Sequence, residues 1–369
     1  MISYVKNIIS LLIFFFLKLF FGKRNNPEFK NILFFNSEKI GDLVVSSMVL
    51  ENDSIFPDDT DVYFLIKEKF FPLFENYKGK IKIIKYNYGL YKWFLPYRFK
   101  LLSGLRKLKL EKLYNLTPAR GMLNDEISLL SGANKIFVMN SDKKYLKKFA
   151  GYIMDKDYSE IIFENIKNEY EKHKELLKIF SGGKEILFSN KKTFVISETN
   201  ELIIKNFVKK DEYIAVSPLS TELERTWGVE NFTRLSTELA EKYKIVLIGS
   251  PKEKTLLEEI RNGNENIIID TSPLNKLPGI ISHCRLFIGG DSGLTHIALK
   301  LGKSLLAVLD GGYFNRYFPY KTEDSKNNYI FNLMDCFECG FDCIYDKKYC
   351  LLNITYESVI NKVNEILNK

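Results

Sequence analysis

The stretch that most constrains the fold is residues 285–302, Arg-Leu-Phe-Ile-Gly-Gly-Asp-Ser-Gly-Leu-Thr-His-Ile-Ala-Leu-Lys-Leu-Gly. Its apolar residues 286–288 predict a buried strand, and the two glycines that follow release the backbone from that strand. Asp291 or Ser292 can cap a helix, which the spacing of the later apolar residues predicts. The stretch therefore predicts a strand, a glycine-rich turn and a helix.

This arrangement suits a phosphate group. It directs free backbone N–H groups and the positive end of a helix dipole out of the carboxyl edge of a sheet, where open α/β folds bind phosphates. Ser292 adds a hydroxyl donor, and His296 lies one helical turn later on the same side. The alternative is a capped helix whose histidine packs in its first turn, and the stretch alone leaves both interpretations open.

A second strand–loop–helix unit stands near the start of the chain. Residues 32–35 predict a strand, residues 36–41 a loop and residues 42–50 a helix, which places Asp42 at a carboxyl edge. There Asp42 is either a general base or a simple helix cap. Arg120 follows a later predicted strand in the same way. Strands alternate with helices throughout the 369 residues, which favours parallel sheets in two domains.

Residues 8–21 form an apolar run that contains Lys18. The run is shorter than the roughly 20 apolar residues of a membrane-spanning helix. It also lacks the small-residue cleavage site of a signal peptide. It is typical of an anchor that lies in the plane of a membrane, with Lys18, Lys23 and Arg24 at the headgroups. The alternative is a helix that packs on the protein's own core.

Residues 78–112 carry a marked positive charge bias. They contain eleven Lys and Arg residues and one acid, Glu111, with aromatic residues interleaved. Such a surface can bind phosphates, anionic headgroups or single-stranded nucleic acid, or it can be a solvated basic face. Because no nucleic-acid-binding module is recognisable, we expect a membrane or an anionic glycolipid as the partner and no nucleic acid.

Four of the five cysteines crowd into the spacing Cys-x2-Cys-x3-Cys-x6-Cys at Cys336, Cys339, Cys343 and Cys350. This is not the pattern of a secreted, disulfide-stapled protein. The thiols either pack a loop in reduced form or bind a structural zinc ion.

Taken together, the chain resembles glycosyltransferase family nine, the ADP-heptose:lipopolysaccharide heptosyltransferases. Three elements carry the resemblance, in the family's order. They are the strand and Gly-Asp loop that ends at Asp42, the pair Ser217-Pro218 with Arg225-Thr226-Trp227, and residues 291–296, Asp-Ser-Gly-Leu-Thr-His. The turn at residues 249–253, Gly-Ser-Pro-Lys-Glu, also resembles a family turn. The resemblance covers roughly residues 31–366.

The resemblance implies an α/β protein of GT-B architecture, with two Rossmann-like domains facing across a cleft. We accordingly expect a membrane-associated segment at residues 1–30 and an acceptor domain at residues 31–200. A nucleotide-sugar donor domain follows at residues 201–350, and a C-terminal helix at residues 351–369.

The resemblance also implies an inverting, metal-independent transfer of heptose from ADP-heptose to the inner core of lipopolysaccharide or lipooligosaccharide, without a cofactor. Asp42 would be the general base, and Lys39 and Arg120 would contact the acceptor. The donor would be bound by Ser217, Arg225, Trp227, Glu253, Asp291, Ser292, Gly293 and His296. Arg225 stands where the family often has Lys. The enzyme would be cytoplasmic and peripheral on the inner face of the bacterial inner membrane.

Three rival functions follow from the same residues. A family member could use another nucleotide-sugar for a surface glycan, or the chain could be a non-catalytic, membrane-associated nucleotide-sugar-binding protein. A dinucleotide-dependent oxidoreductase is disfavoured, because no Gly-x-Gly-x-x-Gly follows the first predicted strand of either domain.

Overall fold

The computed structural model describes residues 2–143, 146, 148–186, 194, 212–220, 223–320 and 326–368. These residues form two compact units. The N-terminal unit comprises residues 2–72 and 78–186, and the C-terminal unit comprises residues 73–77 and the described residues beyond 186. The predicted domain boundary between residues 200 and 201 lies outside the described residues.

The N-terminal unit contains a six-stranded parallel sheet. Its strands are β1 (Asn31–Asn36), β2 (Val62–Lys67), β3 (Lys82–Tyr86), β4 (Leu110–Asn115), β5 (Lys135–Met139) and β6 (Glu160–Ile162). Their spatial order is β3-β2-β1-β4-β5-β6. The order reverses between β1 and β4, and ligands of doubly wound folds bind outside the carboxyl ends of strands at such a reversal.

Eight helices of the N-terminal unit are described. They are α1 (Ile2–Phe20), α2 (Ile40–Ser46), α3 (Met48–Glu51), α4 (Tyr88–Trp93), α5 (Leu95–Arg106), α6 (Met122–Leu129), α7 (Lys148–Asp155) and α8 (Glu169–Ser181). Asn168 begins α8, since its side chain accepts hydrogen bonds from the N–H groups of residues 170 and 171. Gly182, at φ 66°, ends it in the left-handed conformation that glycine tolerates.

Helix α1 agrees in part with both interpretations of the apolar run, because one face is buried in the core and the other is exposed. Leu11, Phe14 and Leu17 are buried in the core of the N-terminal unit, and α1 contacts α6 and α7. The opposite face stays exposed and is also apolar. Lys18 does not lie free for a headgroup, because its Nζ lies 2.5 Å from Asp157 Oδ2. Among the described helices, none combines the length and the hydropathy that a membrane crossing requires.

The C-terminal unit repeats the same topology. Its strands are β7 (Tyr213–Ser217), β8 (Lys244–Ile248), β9 (Ile267–Asp270), β10 (Leu286–Gly290), β11 (Leu305–Val308) and β12 (Asn327–Ile330). They are parallel, in the order β12-β11-β10-β7-β8-β9. The order reverses between β7 and β10. The predicted α/β class with two Rossmann-like domains is therefore confirmed.

Six described helices cover this second sheet. They are α9 (Val229–Leu239), α10 (Lys254–Arg261), α11 (Leu277–Ser282), α12 (Gly293–Lys300), α13 (Tyr349–Leu352) and α14 (Tyr356–Leu367). Helix α14 buries Val359, Ile360 and Val363 in the same apolar core as β7, β8 and β10. The end of the chain is therefore an integral part of this unit.

Candidate active site

The stretch at residues 285–302 forms the predicted strand, turn and helix at the centre of the C-terminal sheet. Strand β10 leads into Ser292, whose Oγ accepts a hydrogen bond from Thr295 N at 3.4 Å and so caps α12. Thr295 Oγ1 in turn donates to the Gly290 carbonyl at 2.5 Å. These bonds hold the first turn of α12 against the carboxyl end of β10.

Gly289 makes this close approach possible. A Cβ atom at this position would lie 3.2 Å from Thr295 Oγ1 and 3.3 Å from the Ser217 carbonyl oxygen. A side chain at Gly289 would therefore press on both α12 and the end of β7, and these neighbours would have to shift slightly to admit it. Ser217 itself is buried at that strand end.

A charged cluster lies beside this turn. Arg225 Nη2 is 3.9 Å from Asp291 Oδ2, and Arg225 Nε is 3.6 Å from Asp310 Oδ2. The guanidinium carbon also lies 4.1 Å from the centre of the Phe341 ring. Both ion pairs are longer than a hydrogen bond. Arg225 Nε is buried and makes no hydrogen bond with any described residue, so the guanidinium is positioned but retains donor capacity for a ligand.

Sequence reasoning did not find Asp310. It stands two residues after the end of β11, and its Oδ1 accepts a hydrogen bond from Gly312 N at 2.8 Å. The available signal was its position after an apolar strand, at the same sheet edge as Asp291.

His296 is a neutral member of the cluster. Its Nε2 lies 3.7 Å from Asp291 Oδ1. The ring stacks on Phe318 at 4.6 Å and meets Tyr317 edge-on at 5.4 Å. Burial lowers the pKa of His296 to about 3, so the imidazole carries no charge at neutral pH. It can exchange hydrogen bonds with a ligand but cannot supply positive charge.

Trp227 lies apart from the charged cluster. Its indole N–H donates to the Ile354 carbonyl at 2.8 Å, and its ring packs on Phe232 and Tyr356 in the core. The side chain is buried. This placement argues for a structural role and against direct donor contact.

Glu253 also has a local structural partner. Its carboxylate accepts a hydrogen bond from Ser250 N at 2.6 Å, and the two residues form a capping box. The cap fixes the turn that leads into α10. A contact from Glu253 to a ribose remains a prediction.

In the N-terminal unit, Asp42 occupies the first turn of α2 after the carboxyl end of β1. Its Oδ2 accepts a hydrogen bond from the backbone N–H of Lys39 at 3.3 Å. The Lys39 side chain is exposed. The cap and the predicted general base are therefore the same carboxylate, and one role does not exclude the other.

Glu38 is a second carboxylate at this edge, which the sequence reasoning missed. Burial and the nearby charge of Asp42 raise the pKa of Glu38 to about 7, although Lys67 and a hydrogen bond from Asn124 act in the opposite direction. Carboxyl groups that titrate near neutrality concentrate at functional sites. The available signal was an acidic residue four positions before Asp42 in the loop after β1.

Arg120 lies at the predicted carboxyl edge, but its side chain points inward. It forms two hydrogen bonds with Asp125, at 3.0 and 2.7 Å, and one with Asp155 at 2.8 Å. Its relative exposure is 0%. A fully buried guanidinium that is held by two carboxylates argues against an acceptor contact. Arg120 instead ties the loop after β4 to α6 and α7.

The four clustered cysteines are free thiols, and Cys350 is buried. Burial raises the pKa of Cys350. Within the described ranges, no group of three or more His, Cys, Asp or Glu side chains is arranged to hold a metal ion.

The sequence of this chain is similar to a known family and to curated proteins. A family model described as glycosyltransferase family 9 (heptosyltransferase) matches residues 132–342. Lipooligosaccharide heptosyltransferase 2 of Haemophilus ducreyi is 30% identical over 155 residues, which are 39% of this chain and 44% of that protein. The aligned region thus spans less than half of that curated relative.

Two solved structures resemble the chain over most of its length. A glycosyl transferase family 9 structure from Veillonella parvula has a TM-score of 0.70 at 16% identity, covering 94% of this chain and 99% of that one. The Escherichia coli heptosyltransferase WaaC with ADP-2-deoxy-2-fluoro heptose has a TM-score of 0.62 at 13% identity, covering 91% and 99%. These likenesses support the predicted GT-B fold class.

Proposed function

This chain belongs to glycosyltransferase family 9, and from that premise we propose that it transfers heptose from ADP-heptose to the inner core of lipopolysaccharide or lipooligosaccharide. The curated relative acts on lipooligosaccharide by name. The Escherichia coli structure holds a fluorinated ADP-heptose. We carry both the donor class and the acceptor class over to this protein.

The observation that carries the proposal is the pairing of Arg225 with the start of α12. The Ser292-capped helix offers backbone N–H groups to a pyrophosphate. Arg225, whose Nε makes no hydrogen bond within the described chain, offers a guanidinium beside it. We propose that this guanidinium stabilises the charge of the departing ADP, so that transfer needs no divalent cation.

The carboxylates beside Arg225 have a second use. Asp291 and Asp310 lie within 4 Å of the guanidinium. Carboxylates accept hydrogen bonds from hydroxyl groups, of which a heptose and a ribose offer several. In the proposed complex the two aspartates orient Arg225 and bind sugar hydroxyls, while neutral His296 adds a hydrogen-bonding group without charge.

The proposed chemistry is a single displacement. Asp42 removes the proton from the acceptor hydroxyl as its oxygen attacks the anomeric carbon of the heptose. The bond from that carbon to the β-phosphate oxygen breaks, and ADP leaves with the electron pair. Attack opposite to the leaving group inverts the anomeric centre. Glu38 remains partly protonated at neutral pH, which limits the negative charge beside Asp42.

We also propose a cytoplasmic location, peripheral on the inner face of the bacterial inner membrane, with an anionic glycolipid as the acceptor. The exposed apolar face of α1 and the basic residues that follow it support this location.

The test begins with calorimetric binding of ADP, UDP, GDP and CMP to the full chain in the presence of a chelator. We expect selective binding of ADP. Arg225→Ala should weaken it at least tenfold, whereas Arg261→Ala, at an arginine on α10 that pairs with Glu258, should not. Preference for another nucleotide would replace the donor sugar, and binding of none would favour a different role for this fold.

Transfer is then measured with ADP-heptose and a heptose-deficient lipooligosaccharide acceptor. Asp42→Asn should abolish turnover and leave ADP affinity within about twofold, since an amide cannot accept the proton. Normal turnover of this variant would remove Asp42 from the role of base. Absence of transfer by the unaltered protein, despite ADP binding, would contradict the heptosyltransferase assignment.

A further inference from the structure

A basic pocket opens on the N-terminal unit where α1 and α5 end. Its volume is about 640 Å³, and it is lined by Phe21, Arg24, Phe29, Ser103, Arg106, Lys107 and Lys109. Four of the seven lining residues are cationic and none is acidic. We call this set of residues the basic pocket.

The cations of the basic pocket are held in place by backbone groups. Arg24 Nη1 donates to the Arg106 carbonyl at 3.1 Å, and Arg106 Nη1 donates to the Gly22 carbonyl at 3.0 Å. None of the four forms an ion pair with a carboxylate of the described chain. Burial and the adjacent Arg24 lower the pKa of Arg106. Two guanidinium groups held together without a counter-charge repel each other, and a bound anion would relieve that repulsion.

The floor of the basic pocket is aromatic. Phe21 and Phe29 are buried, and the Arg106 guanidinium carbon lies 5.7 Å from the centre of the Phe21 ring. The adjoining surface shares Arg24 and Phe29, adds Lys23, Lys30 and Lys135, and includes one acid, Glu111. The positive charge therefore continues beyond the pocket itself.

An exposed apolar surface begins beside the pocket. It is formed by the outer face of α1: Ile8, Ile9, Leu12, Phe15, Phe16, Leu19 and Phe20. Leu12 is 65% exposed and Leu19 is 81% exposed. Phe16 and Phe20 contact Phe99 on α5 at 6.4 and 5.4 Å. The chain just before α5 exposes Trp93 (79%) and Phe94. Tryptophan side chains are enriched at membrane interfaces.

The basic pocket is separate from the proposed acceptor site. Phe29 lies two residues before the start of β1, and Lys107 and Lys109 lie three residues and one residue before the start of β4. The pocket therefore borders the amino edge of the sheet, whereas Asp42 follows the carboxyl end of β1. Six residues of strand separate the two edges, which is roughly 20 Å at about 3.3 Å per residue.

We propose that the basic pocket binds the phosphate headgroup of an anionic phospholipid while the outer face of α1 lies among the acyl chains. Helix α1 ends at Phe20 and Arg24 follows four residues later, so the exposed apolar face and the cations of the pocket are neighbours in the chain, as the acyl and headgroup layers are in a membrane. Nucleic acid contains no acyl chains that could cover the exposed aliphatic side chains on the outer face of α1, and neither does a free phosphate. The inference rests on the peripheral membrane location proposed above and identifies what is bound there.

The test is flotation of the full chain with vesicles of phosphatidylcholine alone or mixed with phosphatidylglycerol. The pocket variant is Arg24→Gln/Lys107→Gln/Lys109→Asn, since Asn tolerates the φ of 51° at position 109. It should bind the anionic vesicles about 100- to 200-fold more weakly, which corresponds to about 1 kcal/mol for each of the three lost charges. Lys242→Gln/Lys252→Gln/Lys254→Gln loses the same charge at exposed positions of the C-terminal unit and should bind as the unaltered protein does.

Two further arms separate the sources of phosphate. Leu12→Ser/Leu19→Ser should reduce vesicle binding and leave binding of inorganic phosphate unchanged. If the pocket variant and the triple variant of the C-terminal unit lost vesicle binding equally, net charge alone would explain the effect and the inference would be overturned. Undiminished vesicle binding by the pocket variant would also overturn it, as would binding of inorganic phosphate or of a single-stranded oligonucleotide in preference to vesicles.

Nucleotide binding and heptose transfer to a soluble acceptor fragment should be unchanged in the pocket variant. A protein that docks on vesicles but transfers no heptose would refute the proposed activity and leave this site intact. A protein that transfers heptose but ignores anionic vesicles would do the reverse.

Discussion

The guanidinium carbon of Arg225 lies 4.1 Å from the centre of the Phe341 ring, and that ring fills the space where a side chain on Gly312 would be. The cysteine-containing loop is thus part of the proposed donor site, because its Phe341 contacts the cation proposed to meet the pyrophosphate. Phe337, in the same loop, fills the corresponding space at Gly311.

We expect Gly312→Ala to weaken ADP binding, because a Cβ atom would displace Phe341 and release Arg225. Phe341→Leu should weaken it about 2- to 30-fold, the equivalent of a cation–π contact of about 0.5–2 kcal/mol. Calorimetry with ADP measures both.

The matched control is Gly104→Ala on α5, where a Cβ atom meets nothing within 4 Å. It should leave ADP affinity unchanged and stabilise the helix slightly. Unchanged affinity in both Gly312→Ala and Phe341→Leu would show that Arg225 is positioned without the loop.

Glu38 predicts a pH dependence of stability. Its pKa is raised from 4.5 to about 7 in the folded protein, so the folded state holds this proton more tightly than the unfolded chain. The stabilisation is full below pH 4.5 and is lost as the pH rises to about 7. Glu38→Gln should therefore match the unaltered protein at pH 4.5 and exceed it by about 1–3 kcal/mol at pH 8.

Denaturant unfolding of both proteins at the two pH values measures this difference. Glu28→Gln, at an exposed carboxylate, should show the same small change at both values. A pH-independent difference for Glu38→Gln would mean that Glu38 does not titrate between its ordinary range and neutrality.

Arg120 allows a test that separates a structural role from an acceptor contact. Asp125→Asn keeps the shape of the partner but removes its charge. Arg120→Met leaves the carboxylates of Asp125 and Asp155 without their cation. Breaking a buried pair in either way should destabilise the fold by about 3–5 kcal/mol. Chemical denaturation measures the loss.

The kinetic readout is the acceptor KM of Asp125→Asn and Arg120→Met below their unfolding transitions. The structural role predicts similar loss of stability in both variants and a KM within about threefold of the unaltered protein. A large rise in KM confined to Arg120→Met, with stability retained, would restore the acceptor contact.

The local patterns that the sequence carries account for much of this site. A strand, a loop and a helix start are encoded by neighbouring residues, so Asp42 and Ser292 could be placed at carboxyl edges before the structure was known. The resemblance to the family added the order of the motifs. The alternation of strands and helices favoured parallel sheets, and the Rossmann-like arrangement of those strands was implied by the resemblance.

Side-chain direction was not predictable in this way. Arg120 turns inward because its guanidinium pairs with Asp125, five residues later, and with Asp155, 35 residues later. Trp227 is placed by a carbonyl 127 residues away. The raised pKa of Glu38 depends first on its burial in the folded protein and then on the charge of Asp42, and the loop sequence does not reveal that burial. Each of these depends on tertiary contacts that no spacing in the sequence records.

Trp227 offers the last test, since the family motif and the packing predict different outcomes. Trp227→Phe keeps an aromatic ring against Phe232 but removes the hydrogen bond to Ile354, leaving a buried carbonyl without its donor. We expect a loss of about 1–3 kcal/mol in unfolding free energy and an ADP affinity within about twofold. Tyr356→Phe, which keeps the stacked ring beside Trp227 and loses its own hydrogen bond to Glu238, is the control for loss of a hydrogen bond elsewhere in the same aromatic cluster. If Trp227→Phe instead weakened ADP binding tenfold at unchanged stability, the indole would contact the donor, and its burial against α14 would have to open when the nucleotide binds.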